Sequence, residues 1–258
     1  MLEPQPGETP LWEQIKVEVL FEQSKNPEHL ITELQQQLAK QTLDNIETTF
    51  IKDQVWERAW MDRFRPMAFG NRLWIYPTHI PPSDNNTINV LLDPGLAFGT
   101  GTHPTTALCL RWLDNQNLEN KTVLDYGCGS GVLAIAAAKL GAKKVYASDI
   151  DSQALTATHS NAELNTVEKK LEILPSDQLP TLDFDIVIAN ILSNILIELS
   201  SLLSNMVKPN GYLVLSGILN EQEKSIVDAF QNQFVFSPSK QQEQWLLLEA
   251  LKKPPPRA

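Results

Sequence analysis

The segment 122–131, Thr-Val-Leu-Asp-Tyr-Gly-Cys-Gly-Ser-Gly, constrains the fold more than any other part of the chain. Its apolar first half predicts a strand, and Gly127, Gly129 and Gly131 leave no side chains where that strand turns into the next helix. Backbone amides at the helix N-terminus are then open to an approaching ligand. A second strand ends in Val-Tyr-Ala-Ser-Asp at 145–149, so that Asp149 falls 22 residues after Gly127. A carboxylate at that place meets ribose hydroxyls in nucleoside-binding βαβ units. Two ligand classes fit, dinucleotides and S-adenosylmethionine. The glycine spacing favours the second, because dinucleotide binding prefers the third glycine one position later.

The rest of the C-terminal part alternates between strand and helix patterns, which predicts a doubly wound α/β sheet with a parallel core. Strands are expected near 122–127, 143–149, 170–175, 184–189 and 212–217, with helices near 106–113, 131–140, 152–165, 193–207 and 220–231. Ser152 is the expected cap of the 152–165 helix, and Pro209-Asn210-Gly211 the expected end of the 193–207 helix. Two last strands, near 233–237 and 243–251, are too close for a crossover and must pair antiparallel. Seven strands closing on an antiparallel hairpin form a Rossmann-like class I methyltransferase layout; a dinucleotide domain more often continues with helical crossovers.

The front of the chain reads differently. Residues 15–22 and 45–52 have strand composition, and Leu30, Ile31, Leu34 and Leu38 predict a helix after the cap-like Asn26-Pro27. This βαβ fragment is too small for a comfortable domain. Trp56, Trp60 and Phe64 mark a connecting helix packed through its aromatic stripe, and the prolines and asparagines of 77–87 form a loop. The expected division is a partial α+β recognition domain at 1–52, a linker helix and loop at 53–88, the cofactor domain at 89–252 and a disordered tail at 253–258.

Composition narrows the class. The chain has 258 residues, 42% of them hydrophobic and 20% charged, which suits one full globular domain plus a fragment. A net charge of −10 argues against direct nucleic-acid binding. Cys109 and Cys128 have no Cys or His at ligand spacing, so neither a metal site nor a disulfide is expected. The start of the sequence has no signal-peptide pattern, and the longest apolar stretch, 186–203, is cut by Asn190, Asn194 and Glu198. A cytoplasmic protein without membrane contact is expected.

Four further features bear on the chemistry. Asp125, two residues before Gly127, either orders the glycine turn or faces a cofactor ammonium. Cys128 reads as a small turn residue, with no histidine nearby in sequence to generate a thiolate. The strand Asp185-Ile-Val-Ile-Ala ends at Asn190, where doubly wound sheets bind ligands. Asn190 either caps the helix near 193 or, together with the Ile191 carbonyl, accepts hydrogen bonds from an amine and aims its lone pair at a methyl group. Finally, 93–106, Asp-Pro-Gly-Leu-Ala-Phe-Gly-Thr-Gly-Thr-His-Pro-Thr-Thr, is a structured loop, and Thr105 or Thr106 is placed to open the following helix.

This loop, the Leu-Asp-Tyr-Gly-Cys-Gly-Ser-Gly segment and Ala-Asn-Ile-Leu at 189–192 together resemble the PrmA family, the methyltransferases of large-subunit ribosomal protein eleven. The resemblance spans residues 3–250. It implies S-adenosyl-L-methionine as cofactor, and lysine side chains and the N-terminal amine of that ribosomal protein as methyl acceptors. It also implies that a small N-terminal domain grips the substrate. The family's cofactor-binding positions fall on Thr106, Gly127, Asp149 and Asn190, within a set that includes Gly129 and Gly131; Phe98 and Thr102 lie in the loop implied to fold over the cofactor. Asn190 and Ile191 are the catalytic candidates, and His103 shapes the loop. Family members carry a further strand, helix and strand before the part aligned with Leu2-Glu3-Pro4, so residues 1–52 correspond to half of a ferredoxin-like domain.

Other readings stay open. A related catalytic domain methylates glutamine amides, although its Asn-Pro-Pro-aromatic motif is here Asn190-Ile191-Leu192-Ser193. A cofactor-binding module without activity and a nicotinamide-dependent oxidoreductase are the remaining alternatives.

Overall fold

Apolar runs such as Val123-Leu124 and Ile186-Val-Ile-Ala189 have no polar alternation, so these strands must be covered on both faces. The computed structural model, which describes residues 26–37, 48–49, 65–82, 86–93 and 101–254, shows how. The chain divides into two compact units, 1–54 and 55–258. In the first, α1 (Pro27–Gln37) begins as expected, the Asn26 side chain accepting the Glu28 N–H at 2.9 Å. The strands expected at 15–22 and 45–52, and the aromatic helix at 53–64, lie outside the described residues apart from positions 48–49.

The second unit is built on a mostly parallel sheet. Its strands are β4 (Thr122–Tyr126), β5 (Lys144–Asp149), β6 (Leu171–Pro175), β7 (Phe184–Asn190), β8 (Val207–Leu219), β9 (Phe234–Phe236), β10 (Lys240–Gln242) and β11 (Trp245–Lys252). Their order is β10-β11-β8-β7-β4-β5-β6. β10 pairs with Trp245–Leu247 and β9 with Ala250–Lys252 of β11, so the two share one edge position. The expected seven-stranded sheet and antiparallel ending are therefore present, with the penultimate strand split in two.

One face of the sheet carries α2 (Pro104–Asp114), α3 (Val132–Lys139) and α4 (Ser152–Leu164); the other carries α5 (Ser193–Glu198), α6 (Ser200–Met206) and α7 (Glu223–Phe230). Alternate residues of one strand serve the two cores: Val123 packs on the first side, Leu124 and Tyr126 on the second. α3 is buried from Val132 to Ala138, as befits a helix with apolar residues all round.

Several local expectations need correction. Around the loop expected at 77–87 lie strands that were not expected: β1 (Met67–Phe69), β2 (Leu73–Pro77) and β3 (Ile88–Leu92) form a second, three-stranded sheet. Asp114 holds its first turn, accepting the N–H groups of Asn71 at 2.7 Å and Arg72 at 3.3 Å. Asp151, not Ser152, caps α4, through the Gln153 N–H. The helix expected at 193–207 breaks at Leu199, yet Leu196, Leu199 and Leu203 continue one apolar stripe through the break. Pro209-Asn210-Gly211 follows the start of β8 instead of ending a helix; Asn210 there has φ 61°. Lys253 is also tied down, donating its backbone N–H to Gln233 O at 2.9 Å. No helix among the described residues is long and apolar enough to cross a membrane.

Candidate active site

The first turn after β4 needs left-handed backbone at three alternate positions: Gly127, Gly129 and Gly131 have φ of 78°, 55° and 78°. For residues with a Cβ that conformation costs about 1–2 kcal/mol each. The turn is stitched to β5, since the N–H groups of Gly127 and Cys128 both donate to Ser148 O, at 2.7 and 3.0 Å. Asp149, at the carboxyl end of β5, accepts the Gly129 N–H on Oδ2 and the Asp151 N–H on Oδ1, both at 3.0 Å. A carboxylate has about four acceptor positions, so two are left over by these bonds.

Gly131 is not among the residues lining the cleft. Its place for a side chain is taken by Thr158 of α4, whose methyl would stand 2.6 Å from an added Cβ. Thr158 also donates its hydroxyl to Gly129 O at 3.0 Å. This glycine thus lets α4 pack against the turn.

The cleft itself is lined by Thr106, Gly127, Cys128, Gly129, Val132, Leu133 and Asn190. Four candidates separated by up to 84 positions in sequence therefore meet: Thr106, Gly127, Gly129 and Asn190. Asn190 Nδ2 donates to Thr106 Oγ1 at 3.3 Å, which leaves the amide oxygen as an acceptor. Asn190 is no helix cap. The N-cap of α5 is Leu192, and no side chain caps that helix.

On the other side of the cleft, α2 opens with Pro104 and is capped by His103 rather than by either threonine. His103 Nδ1 lies 2.7 Å from Thr105 Oγ1 and also faces the Thr105 N–H, while the ring packs edge-on against Trp245 at 4.9 Å. Burial holds the imidazole below its ordinary value, against the pull of Glu243, and favours the neutral ring that a cap requires. Thr102 is exposed, and Phe98 lies outside the described residues.

Comparison with known proteins decides the family. The family model described as ribosomal protein L11 methyltransferase (PrmA) matches residues 1–253. The chain belongs to this family. A protein of Histophilus somni (strain 2336) with that name is 52% identical over 248 residues, 95% of this chain and 83% of the relative. One from Nitrosococcus oceani is 47% identical over 248 residues, 96% of this chain and 85% of the relative. The crystal structure of ribosomal protein L11 methylase from Lactobacillus delbrueckii subsp. bulgaricus fits with a TM-score of 0.66 at 32% identity, covering 74% of this chain and 98% of that one. The enzyme is a methyltransferase that uses S-adenosyl-L-methionine.

Within this methyltransferase the remaining polar residues at the turn are inert or structural. Burial pushes the Cys128 thiol up, with Asp125 adding to the effect, so no thiolate forms in the cleft. Asp125 is 1% exposed; its Oδ2 accepts the Ala134 N–H at 3.0 Å and ties β4 to α3. No hydrogen-bond partner reaches Oδ1 among the described residues. Burial raises this carboxyl to about 7, against the Ala134 N–H and with help from Asp149.

Because the folded value exceeds the ordinary 3.8, the native state binds the proton more tightly than the unfolded chain. The protonated carboxyl therefore contributes stability below about pH 4 that is lost as pH rises to about 7. Asp125→Asn is expected to remove this dependence. The loss of melting temperature between about pH 4 and pH 8, measured without ligand, should be smaller in the variant; parallel curves for both proteins would contradict the assignment.

One residue was missed in the sequence. Gly217 of β8 has φ 84°, and a Cβ there would stand 2.2 Å from the Ile191 carbonyl oxygen. The Ile191 side chain in turn fills the space above Gly127, 2.4 Å from where a Cβ would be. Ile191 is thus wedged between two glycines, one holding its carbonyl and one its side chain. A glycine within the expected strand 212–217 was the available signal.

Proposed function

We propose that the enzyme methylates amino nitrogens of ribosomal protein L11, the lysine side chains and the N-terminal amine, with Asn190 and Ile191 holding the acceptor. The observation that carries this reading is the placing of Asn190: it ends a central strand, bonds Thr106 through Nδ2 and keeps its amide oxygen beside the glycine turn. The turn fits the donor. Asp149 has acceptors for the ribose diol, Gly127 and Gly129 leave the backbone bare, and Val132 and Leu133 give an apolar floor. Ile150, 91% exposed directly after Asp149, offers an apolar surface to the base. Bound there, the sulfonium supplies an electrophilic methyl group.

The Asn190 amide oxygen and the Ile191 carbonyl accept the two N–H bonds of a neutral amine and point its lone pair away from themselves. The new C–N bond forms as the C–S bond breaks, and the nitrogen then gives up a proton to water. A free lysine amine has a pKa of ~10.4. Desolvation beside a cation lowers it, so the site needs no dedicated base. Among the described cleft-lining residues there is none. Alignment supplies the acceleration, with effective molarities that reach ~10⁵ M.

Substrate recognition belongs in this reading to residues 1–52, and the cytoplasm is where enzyme and substrate meet. Mass-spectrometric mapping of isolated ribosomal protein L11 after incubation with enzyme and cofactor tests it. Methyl groups are expected on lysine Nζ and the α-amine; methyl groups on glutamine amides or hydroxyl oxygens would overturn it.

A further inference from the structure

Two asparagines one helical turn apart, Asn161 within α4 and Asn165 at its C-cap, are almost completely buried, at 1% and 3% exposure. Buried amides are costly unless hydrogen-bonded, and these two are engaged in the same unusual way. Asn165 Oδ1 accepts the Leu91 N–H at 2.9 Å while its Nδ2 donates to Leu91 O at 2.6 Å. Asn161 Oδ1 accepts the Asp93 N–H at 3.0 Å while its Nδ2 donates to Asp93 O at 3.1 Å. Each side chain reads both backbone groups of one residue, as a neighbouring strand would.

The spacings match. Four residues of helix rise about 6 Å and two residues of strand about 6.6 Å, so positions 161 and 165 face positions 93 and 91. β3 pairs with β2 on one edge, and α4 serves its other edge with two amides in place of a strand.

The two asparagines differ in their remaining bonds, and Asn165 Oδ1 also accepts from Lys139 Nζ at 3.3 Å. Asn161 Nδ2 also donates to Ser130 O at 2.9 Å, within the glycine turn; the second donation of Asn165 goes to Asn161 O in its own helix, at 2.8 Å. Asp93 begins the run that leads to α2 and Thr106, whereas Ser130 precedes Gly131 in the turn that bears Gly127 and Gly129. One amide therefore joins the glycine turn to the residue that follows β3.

We propose that Asn161 is a positioning residue for the methyl-donor site, fixing the Ser130 carbonyl of the glycine turn to the strand end at Asp93. The inference rests on the reading that the donor sits at that turn. Asn165 is its matched control, because it makes the equivalent strand contacts without touching the turn.

The test is calorimetric titration of S-adenosylhomocysteine into wild type, Asn161→Ala and Asn165→Ala, with melting temperatures of the unliganded proteins. Both variants should melt at lower temperature than wild type. Only Asn161→Ala should bind more weakly, by about tenfold, the worth of one well-made hydrogen bond, with Asn165→Ala within about threefold of wild type. If Asn161→Ala does not fold, Asn161→Ser carries the same expectation. Equal affinities in the two variants would overturn the positioning role and leave a structural one. Wild type that fails to bind would instead overturn the donor-site reading itself.

Discussion

Asn190→Ala is expected to lower turnover by about a hundredfold or more, while affinity for S-adenosylhomocysteine falls far less. In the proposed reading the side chain acts on the acceptor nitrogen, and misalignment at the reacting centre costs this much even when the substrates still bind. Truncation removes the amide oxygen offered to the amine and also the 3.3 Å link from Nδ2 to Thr106 across the cleft. Turnover and cofactor affinity should therefore separate. Single-turnover kinetics alongside calorimetric titration measures both, and unchanged turnover would sink the amine-holding role.

Gly217→Ala is the second large effect. The added Cβ would meet Ile191 O at 2.2 Å, Ile191 C at 2.8 Å and Ile191 N at 3.2 Å, all backbone atoms that cannot rotate aside. The left-handed φ adds about 1–2 kcal/mol, and relieving the overlap adds about as much again. A fall in melting temperature of roughly 4–8 °C follows at this chain length. The Ile191 carbonyl must also move, and moving it by about 1 Å is expected to reduce turnover about a hundredfold. A variant that is destabilised but turns over like wild type would remove Ile191 from the chemistry.

What the sequence made legible was the part where a single segment carries its own reason. The glycine turn announces itself because three left-handed positions in five residues admit little else, and Asp149 follows at the length of one helix and one strand. Asn190 stands out as a polar residue ending an unbroken apolar run. The seven strands and their antiparallel ending were likewise readable from alternating elements and a hairpin too short for a crossover.

The missed features depend on partners distant in sequence. β1 to β3 are short, flanked by Pro66, Pro77, Pro81 and Pro82, and held by Asp114 from another element. Gly217 has meaning only against Ile191, 26 positions earlier. Asn161 and Asn165 look like weak helix residues until β3 is placed beside them, although two amides four positions apart on one helix face were visible. Between Asp151 and Ser152 the choice of cap was open by residue type, and only the Gln153 N–H decides it.

A crystal structure of the enzyme with S-adenosylhomocysteine is the most direct test of the donor site. The ribose hydroxyls are expected on the Asp149 carboxylate, the nucleoside against the Gly127–Gly129 turn, and the sulfur in the cleft between Thr106 and Asn190. A nucleoside bound elsewhere on the sheet, or a sulfur out of reach of Asn190, would contradict that placement.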